Sequence, residues 1–188
     1  IATVIVLKFN PEYVYIIPLC LVPIIVGIFN DSRLALFSHL ITIILTGLIV
    51  PNSYEFVFLQ LFAGIVTILS IVRLDRRSQF FLTSLLVFIT YSIIYIGMTL
   101  IKEGSIKEMN TIYFAMFAGS ATLTFFSYPL IFMFERLFGL ITDVRLLELS
   151  NTNNKVLREL ALKAPGTFEH SMQMANLAEE AVYEIGGN

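Results

Sequence analysis

The sequence has 188 residues, 57% of them apolar and 14% charged, with a mean hydropathy of +0.83. Soluble domains carry about a quarter charged residues, so this composition excludes a water-soluble globule and a disordered chain and describes a membrane protein. A net charge of −2 without a clustered basic face also excludes a DNA or RNA partner.

Charge divides the chain in two. Residues 1–134 hold seven Lys/Arg and six Asp/Glu, whereas residues 135–188 hold five and eight, so the last part is water-facing. The chain opens at Ile1 inside an apolar run and closes at Asn188 just after a helical pattern; we expect it to be an internal piece of a longer protein.

A helix needs roughly 20 mostly apolar residues to cross a bilayer core, with about 17 as the lower limit. IATVIVL, residues 1–7, is too short and reads as the end of a partial span. Five complete spans follow at 13–29, 34–50, 56–72, 80–101 and 111–134, all free of Asp, Glu, Lys and Arg. Short polar connections at 8–12, 30–33, 51–55, 73–79 and 102–110 force neighbouring helices to run antiparallel.

Basic loops stay cytoplasmic. Arg73, Arg76 and Arg77 face one acid in the 73–79 connection, while the loops at the other end are balanced or acidic. This places Arg33, the 73–79 connection and everything after Arg136 inside the cell. Pro18, Pro23 and Pro129 are expected to kink the first and last complete spans. Ala63, Gly64, Ala115 and Gly119 offer small surfaces for close helix packing.

His39 is the one His, Asp, Glu, Lys or Arg within these spans. It lies a turn and a half from Leu34, so its ring is expected to reach the membrane interface. Ion-coupled transport generally needs an intramembrane carboxylate or base relay, so the uncharged spans speak for anchoring or sensing. Cys20 lies alone in an apolar run, which excludes an intramolecular disulfide.

Beyond the last span, Leu137, Leu140, Ile141, Val144 and Leu147 keep helical spacing, so an amphipathic stalk is expected to continue the span through Leu149. Such a stalk can pack on the domain below or on a second copy of the chain. SNTNN, residues 150–154, is a polar break. A short helix follows over 155–163, ended by Pro165 and Gly166. Thr167 is then expected to cap a helix carrying His170, Met174, Leu177, Ala178, Ala181 and Ile185 on one face, with Gly186 and Gly187 as the stop. His170 therefore sits at the first turn of a buried stripe. By itself it reads either as a hydrogen-bonded core histidine or as a metal ligand, since a single His makes no metal site.

The segments LLELSN, APGTFEHS and NLAEEA followed by IGGN resemble the opening of the cytoplasmic domain in the bacterial seven-transmembrane HD-domain phosphohydrolases. The spans, the NDSRLAL connection and the ERLFGLITD exit are similar to the same family. The resemblance implies an all-α fold: a polytopic membrane helix bundle over 1–134, with one partial and five complete spans, a stalk and linker over 135–154, and the first helices of a truncated HD domain over 155–188. It also implies a full-length parent with a further N-terminal span and a large extracytoplasmic domain.

Characterised members hydrolyse cyclic di-AMP to the linear dinucleotide with two divalent metal ions, iron or manganese, held by several His and Asp residues. His170 is the one family ligand that falls within this chain; the pair that names the domain would follow Asn188. The resemblance thus implies a metal-dependent phosphodiesterase of the bacterial inner membrane, with a cytoplasmic tail and a cyclic dinucleotide substrate. It also implies that this stretch alone is inactive. The alternative is a membrane signal receptor whose HD-like tail binds without hydrolysis.

Overall fold

The computed structural model describes residues 2–9, 11–71, 79–105, 109–142, 146, 149, 151 and 153–186. Its helices are α1 (Ala2–Phe9), a 3₁₀ helix (Pro11–Ile16), α2 (Leu21–Phe29), α3 (Ser32–Gly47), α4 (Ser53–Ile71), α5 (Gln79–Glu103), α6 (Ile112–Phe125), α7 (Ser127–Phe138), α8 (Lys155–Lys163) and α9 (Pro165–Glu184). No strand occurs among the described residues, so the all-α expectation holds. The chain separates into two compact units, Ile1–Val144 and Arg145–Asn188.

Among the described residues of the first unit, four stretches are long and apolar enough to cross a membrane: Pro11–Phe29, Ser53–Ile71, Gln79–Glu103 and Ile112–Phe138. The fifth expected span, α3, has 16 helical residues, or about 24 Å at 1.5 Å per residue. The amides of Leu48 and Val50 still bond back to Ile44 and Thr46, so the turn runs on to the boundary expected from hydropathy. At the other end, Asp31 starts the helix by accepting the Leu34 amide at 2.7 Å.

Proline breaks two spans more sharply than a kink. Pro18 lies in the non-helical gap between the 3₁₀ helix and α2, while Pro23 falls in the first turn of α2, where a missing N–H costs little. In the last span, Pro129 cannot donate to Phe125, and its ring crowds that carbonyl. The helix therefore stops at Phe125 and restarts at Ser127, with the Phe126 amide reaching Leu123 at 3.1 Å.

Two interactions fix α4 and α5 as antiparallel neighbours. Lys102 at the end of α5 meets Glu55 at the start of α4 at 2.6 Å, and Ser70 meets Thr83 at 2.6 Å at the opposite ends. Ser84 also donates to the Ala121 carbonyl at 2.6 Å, tying α5 to α6. Other hydroxyls bond one turn back within their own helix, as Thr67 does to Ala63 and Thr99 to Tyr95. Such bonds let polar side chains occupy a span without an unmet donor.

On α3 the inward face is mostly small or polar and the outward face bulky and apolar. On α3, Ala35, His39, Ile43, Thr46 and Gly47 are buried, while Phe37, Ile41, Ile44 and Leu45 are exposed. That arrangement suits hydrocarbon, where burying a leucine gains little over leaving it in lipid. The main core gathers Val14, Tyr15, Phe56, Leu59, Tyr91 and Phe117. A smaller cluster of Ile24, Ile71, Phe80 and Ile131 closes the other end.

The expected stalk differs from the structure. α7 stops at Phe138, and Gly139 follows at φ +66°, the left-handed geometry that glycine adopts freely. Residues 140–142 are not helical. The buried Glu135 carboxylate instead accepts both the amide and the hydroxyl of Thr142. The stalk reading carried the apolar spacing straight across a glycine that ends the helix. The expected stop at Gly186 does occur, at φ +73°.

Candidate functional site

Two histidines were singled out from sequence, and the structure sets them in opposite surroundings. His39 is fully buried, mid-way along α3, and does not extend to an interface. Its Nε2 lies 3.0 Å from the backbone carbonyl of Gln60 on α4. A carbonyl only accepts, so Nε2 carries the proton and Nδ1 is left as an acceptor. The ring occupies the space that a Cβ on Gly64 would fill. Close approach of α3 to α4 at Gly64 therefore overrides the snorkelling expected from the short distance to Leu34. Of the other small residues, Gly119 has Ile16 at 3.6 Å from its ideal Cβ position, whereas Ala115 is exposed.

His39 belongs to a buried polar centre. Tyr91 on α5 donates to Gln60 Oε1 at 2.7 Å, which leaves the Cys20 thiol as the donor to the Tyr91 oxygen at 3.6 Å. Phe117 of α6 stacks on Tyr91, with ring centroids 5.2 Å apart and planes 20° from parallel. Four helices and the segment before α2 thus meet at one point. His39 Nδ1 and Gln60 Nε2 lack hydrogen-bond partners among the described residues. Among the described residues, the centre holds side chains that hydrogen-bond and pack across helices and no carboxylate, lysine or arginine.

Sequence reasoning passed over Gln60 and Tyr91. The signal was available: Gln60, Ala63, Gly64 and Thr67 follow helical spacing along α4, as Thr83, Val87, Tyr91 and Tyr95 do along α5. In a membrane helix, that stripe of polar and small residues marks the packed face.

His170 lies in the second unit, exposed on α9. The helix starts at Pro165 in the first-turn position proline favours, two residues before the expected Thr167 cap, so His170 is in the second turn. Ala164 provides no side-chain cap. No residue of α8 or α9 is buried, so the stripe from His170 to Ile185 is present in the helix but uncovered. Among the described residues, no three His, Cys, Asp or Glu side chains converge as a metal site. One imidazole does not fit a two-metal centre. The basic connection with Arg73, Arg76 and Arg77 lies outside the described residues, as does Lys107.

Comparison with known proteins settles the family. Residues 1–142 match the family described as "7TM receptor with intracellular HD hydrolase". The chain belongs to this family. Over 180 residues, 93% of its length, it is 31% identical to the cyclic-di-AMP phosphodiesterase PgpH of Listeria monocytogenes, covering 25% of that protein. It is 27% identical over 182 residues to PgpH of Bacillus subtilis, covering 93% of the chain and 26% of the relative. An uncharacterized Synechocystis protein shares 52% identity over 54 residues, 29% of the chain and 7% of that protein. The chain thus spans about a quarter of the length of its two phosphodiesterase relatives. No solved structure matches it.

Proposed function

We propose that the chain is the membrane region and HD-domain opening of a bacterial enzyme that hydrolyses a cyclic dinucleotide, cyclic di-AMP to linear pApA. The similarity to the two PgpH proteins carries this reading, because it runs through the spans and on into the tail, over 93% of the chain. On this reading, residues 1–134 form the bundle, 135–154 the connection and 155–188 the start of the HD domain. His170 is one ligand to a pair of divalent ions, iron or manganese, whose other ligands lie elsewhere in the parent. The spans link an extracytoplasmic sensor to that domain.

The parent resides in the inner membrane with the tail in the cytoplasm, an orientation supported by the arginines at 73, 76 and 77. Cysteine labelling in intact cells tests it: position 76 should stay closed to an impermeant reagent and position 107 should react, and the reverse pattern would overturn the orientation. Activity has an equally direct assay. Purified full-length protein should convert cyclic di-AMP to the linear dinucleotide in a metal-dependent way, whereas the 188-residue chain alone should not. A full-length protein that binds the dinucleotide without cleaving it would favour a receptor with a non-hydrolytic HD-like tail.

A further inference from the structure

The two parts of the broken first span rest on different neighbours. The 3₁₀ helix packs on α1 and α6, whereas α2 packs on α3, α4 and α7. Ring contacts make the division concrete. Tyr15 meets Tyr113 at 73° with centroids 5.3 Å apart, forming an aromatic corner that Phe117 extends at 6.2 Å, both partners being on α6. Phe29, at the far end of α2, meets Phe134 on α7 at 6.5 Å. Val14 and Tyr15 accordingly belong to the main core and Ile24 to the smaller one. Tyr15 also touches Phe56 of α4 at 5.9 Å, but α4 runs unbroken past both parts.

The backbone between these parts is not helical. A helix passing through this point would return the amides of residues 18–20 to the carbonyls of residues 14–16. Pro18 has no amide to return, and Leu19 bonds to Ile17 at 2.9 Å instead. Among the described residues, no backbone hydrogen bond joins the 3₁₀ helix to α2. The break in the last span is different, because Phe126 bonds back to Leu123 at 3.1 Å and receives the Leu130 amide at 3.3 Å, which ties it to both α6 and α7. At residues 17–20, the side-chain tie to the bundle is the Cys20 thiol on Tyr91, a sulfur bond of 3.6 Å.

A hinge needs a few residues free to absorb a change of backbone angle between two parts that are each packed elsewhere. Ile17, Leu19 and Cys20 meet that description, with Pro18 fixing one angle among them. We propose that residues 17–20 are a hinge on which the 3₁₀ helix moves relative to α2, while α2 stays with α3, α4 and α7. The proposal goes beyond the phosphodiesterase reading, and its test reads distances alone.

Genetically encoded spin labels are placed in pairs in the full-length protein in nanodiscs, and distance distributions are measured by pulsed electron resonance. Positions 13 and 69 relate the 3₁₀ helix to α4, while 54 and 69 mark the two ends of α4 itself; all three side chains are exposed. The 13–69 distribution is expected to be about twice as wide as the 54–69 distribution. Pro18→Ala supplies the missing amide and should narrow 13–69 toward the width of 54–69, whereas simple fraying of the 3₁₀ helix would not respond to position 18. Equal widths in the wild-type protein would overturn the proposal, as would an unchanged 13–69 width in a Pro18→Ala protein that melts as the wild type does. Should that variant fail to fold, the wild-type comparison decides alone.

Discussion

The membrane bundle and the tail each carry one histidine, and the two differ in whether the chain itself covers the helix face that holds it. In the bundle, α3 turns His39 against Gly64 and the Gln60 carbonyl, and the ring is sealed from every side. In the tail, α9 has an amphipathic pattern but no buried residue, and His170 is open. Residue type and helical spacing are alike in the two cases. A partner helix makes one histidine a packing element, whereas no described residue covers the other.

The strongest way to break this contrast is to remove the exposed imidazole. Loss of a residue that merely supports a metal ligand costs about 10–100-fold. His170→Ala in the full-length protein is therefore expected to lower cyclic di-AMP hydrolysis by about 100-fold or more, together with bound metal, while the bundle melts as before. Turnover, metal stoichiometry and a melt on one preparation check it; full metal loading and normal turnover would make His170 an ordinary surface residue.

The sealed histidine should behave in the opposite way, registering in stability. Gly64→Ala puts a methyl group where the His39 ring sits and is expected to cost about 1–3 kcal/mol of bundle stability. His39→Ala alone leaves a cavity and removes the imidazole's hydrogen bond to the Gln60 carbonyl, and should also destabilise. The double variant His39→Ala/Gly64→Ala should recover part of the loss, because the added methyl group then meets no ring. Unfolding of all three in detergent forms a double-mutant cycle, and simple additivity would show that the two residues do not touch.

The smallest expected effect sharpens the picture of the polar centre. Tyr91→Phe keeps the stacking on Phe117 but removes the donor to Gln60, and about 1 kcal/mol should be lost, as for other hydrogen bonds between membrane helices. A neutral result in the same unfolding assay would mean that Gln60 finds another donor.

Much of the architecture was legible as runs of apolar residues, because a bilayer imposes a minimum length on any span. The positions of α4 and α5 follow from that constraint alone. His39 was misread because distance along the helix from Leu34 says nothing about which way a face points. The spacing of Ala35, His39, Ile43 and Thr46 did carry that information, as a stripe opposite Phe37, Ile41 and Leu45. Gly139 was present in the exit sequence but outweighed by the apolar period that spans it. His170 stood out through its APGTFEH setting, whereas the Tyr15 and Tyr113 corner was not legible, since it joins the 3₁₀ helix to α6 across about 100 residues of chain.

The turn after α7 determines what kind of movement can leave the membrane. A continuous helix would carry both twist and thrust from the bilayer toward the tail, like a driveshaft. With the helix ended at Gly139, torsion of α7 about its own axis has no rigid rod to travel along. Thr142, however, is strapped back to Glu135 by two hydrogen bonds, so a displacement of α7 along its axis draws Thr142 with it. The exit as far as Thr142 is thus built as a pull-cord, which follows α7 along its axis.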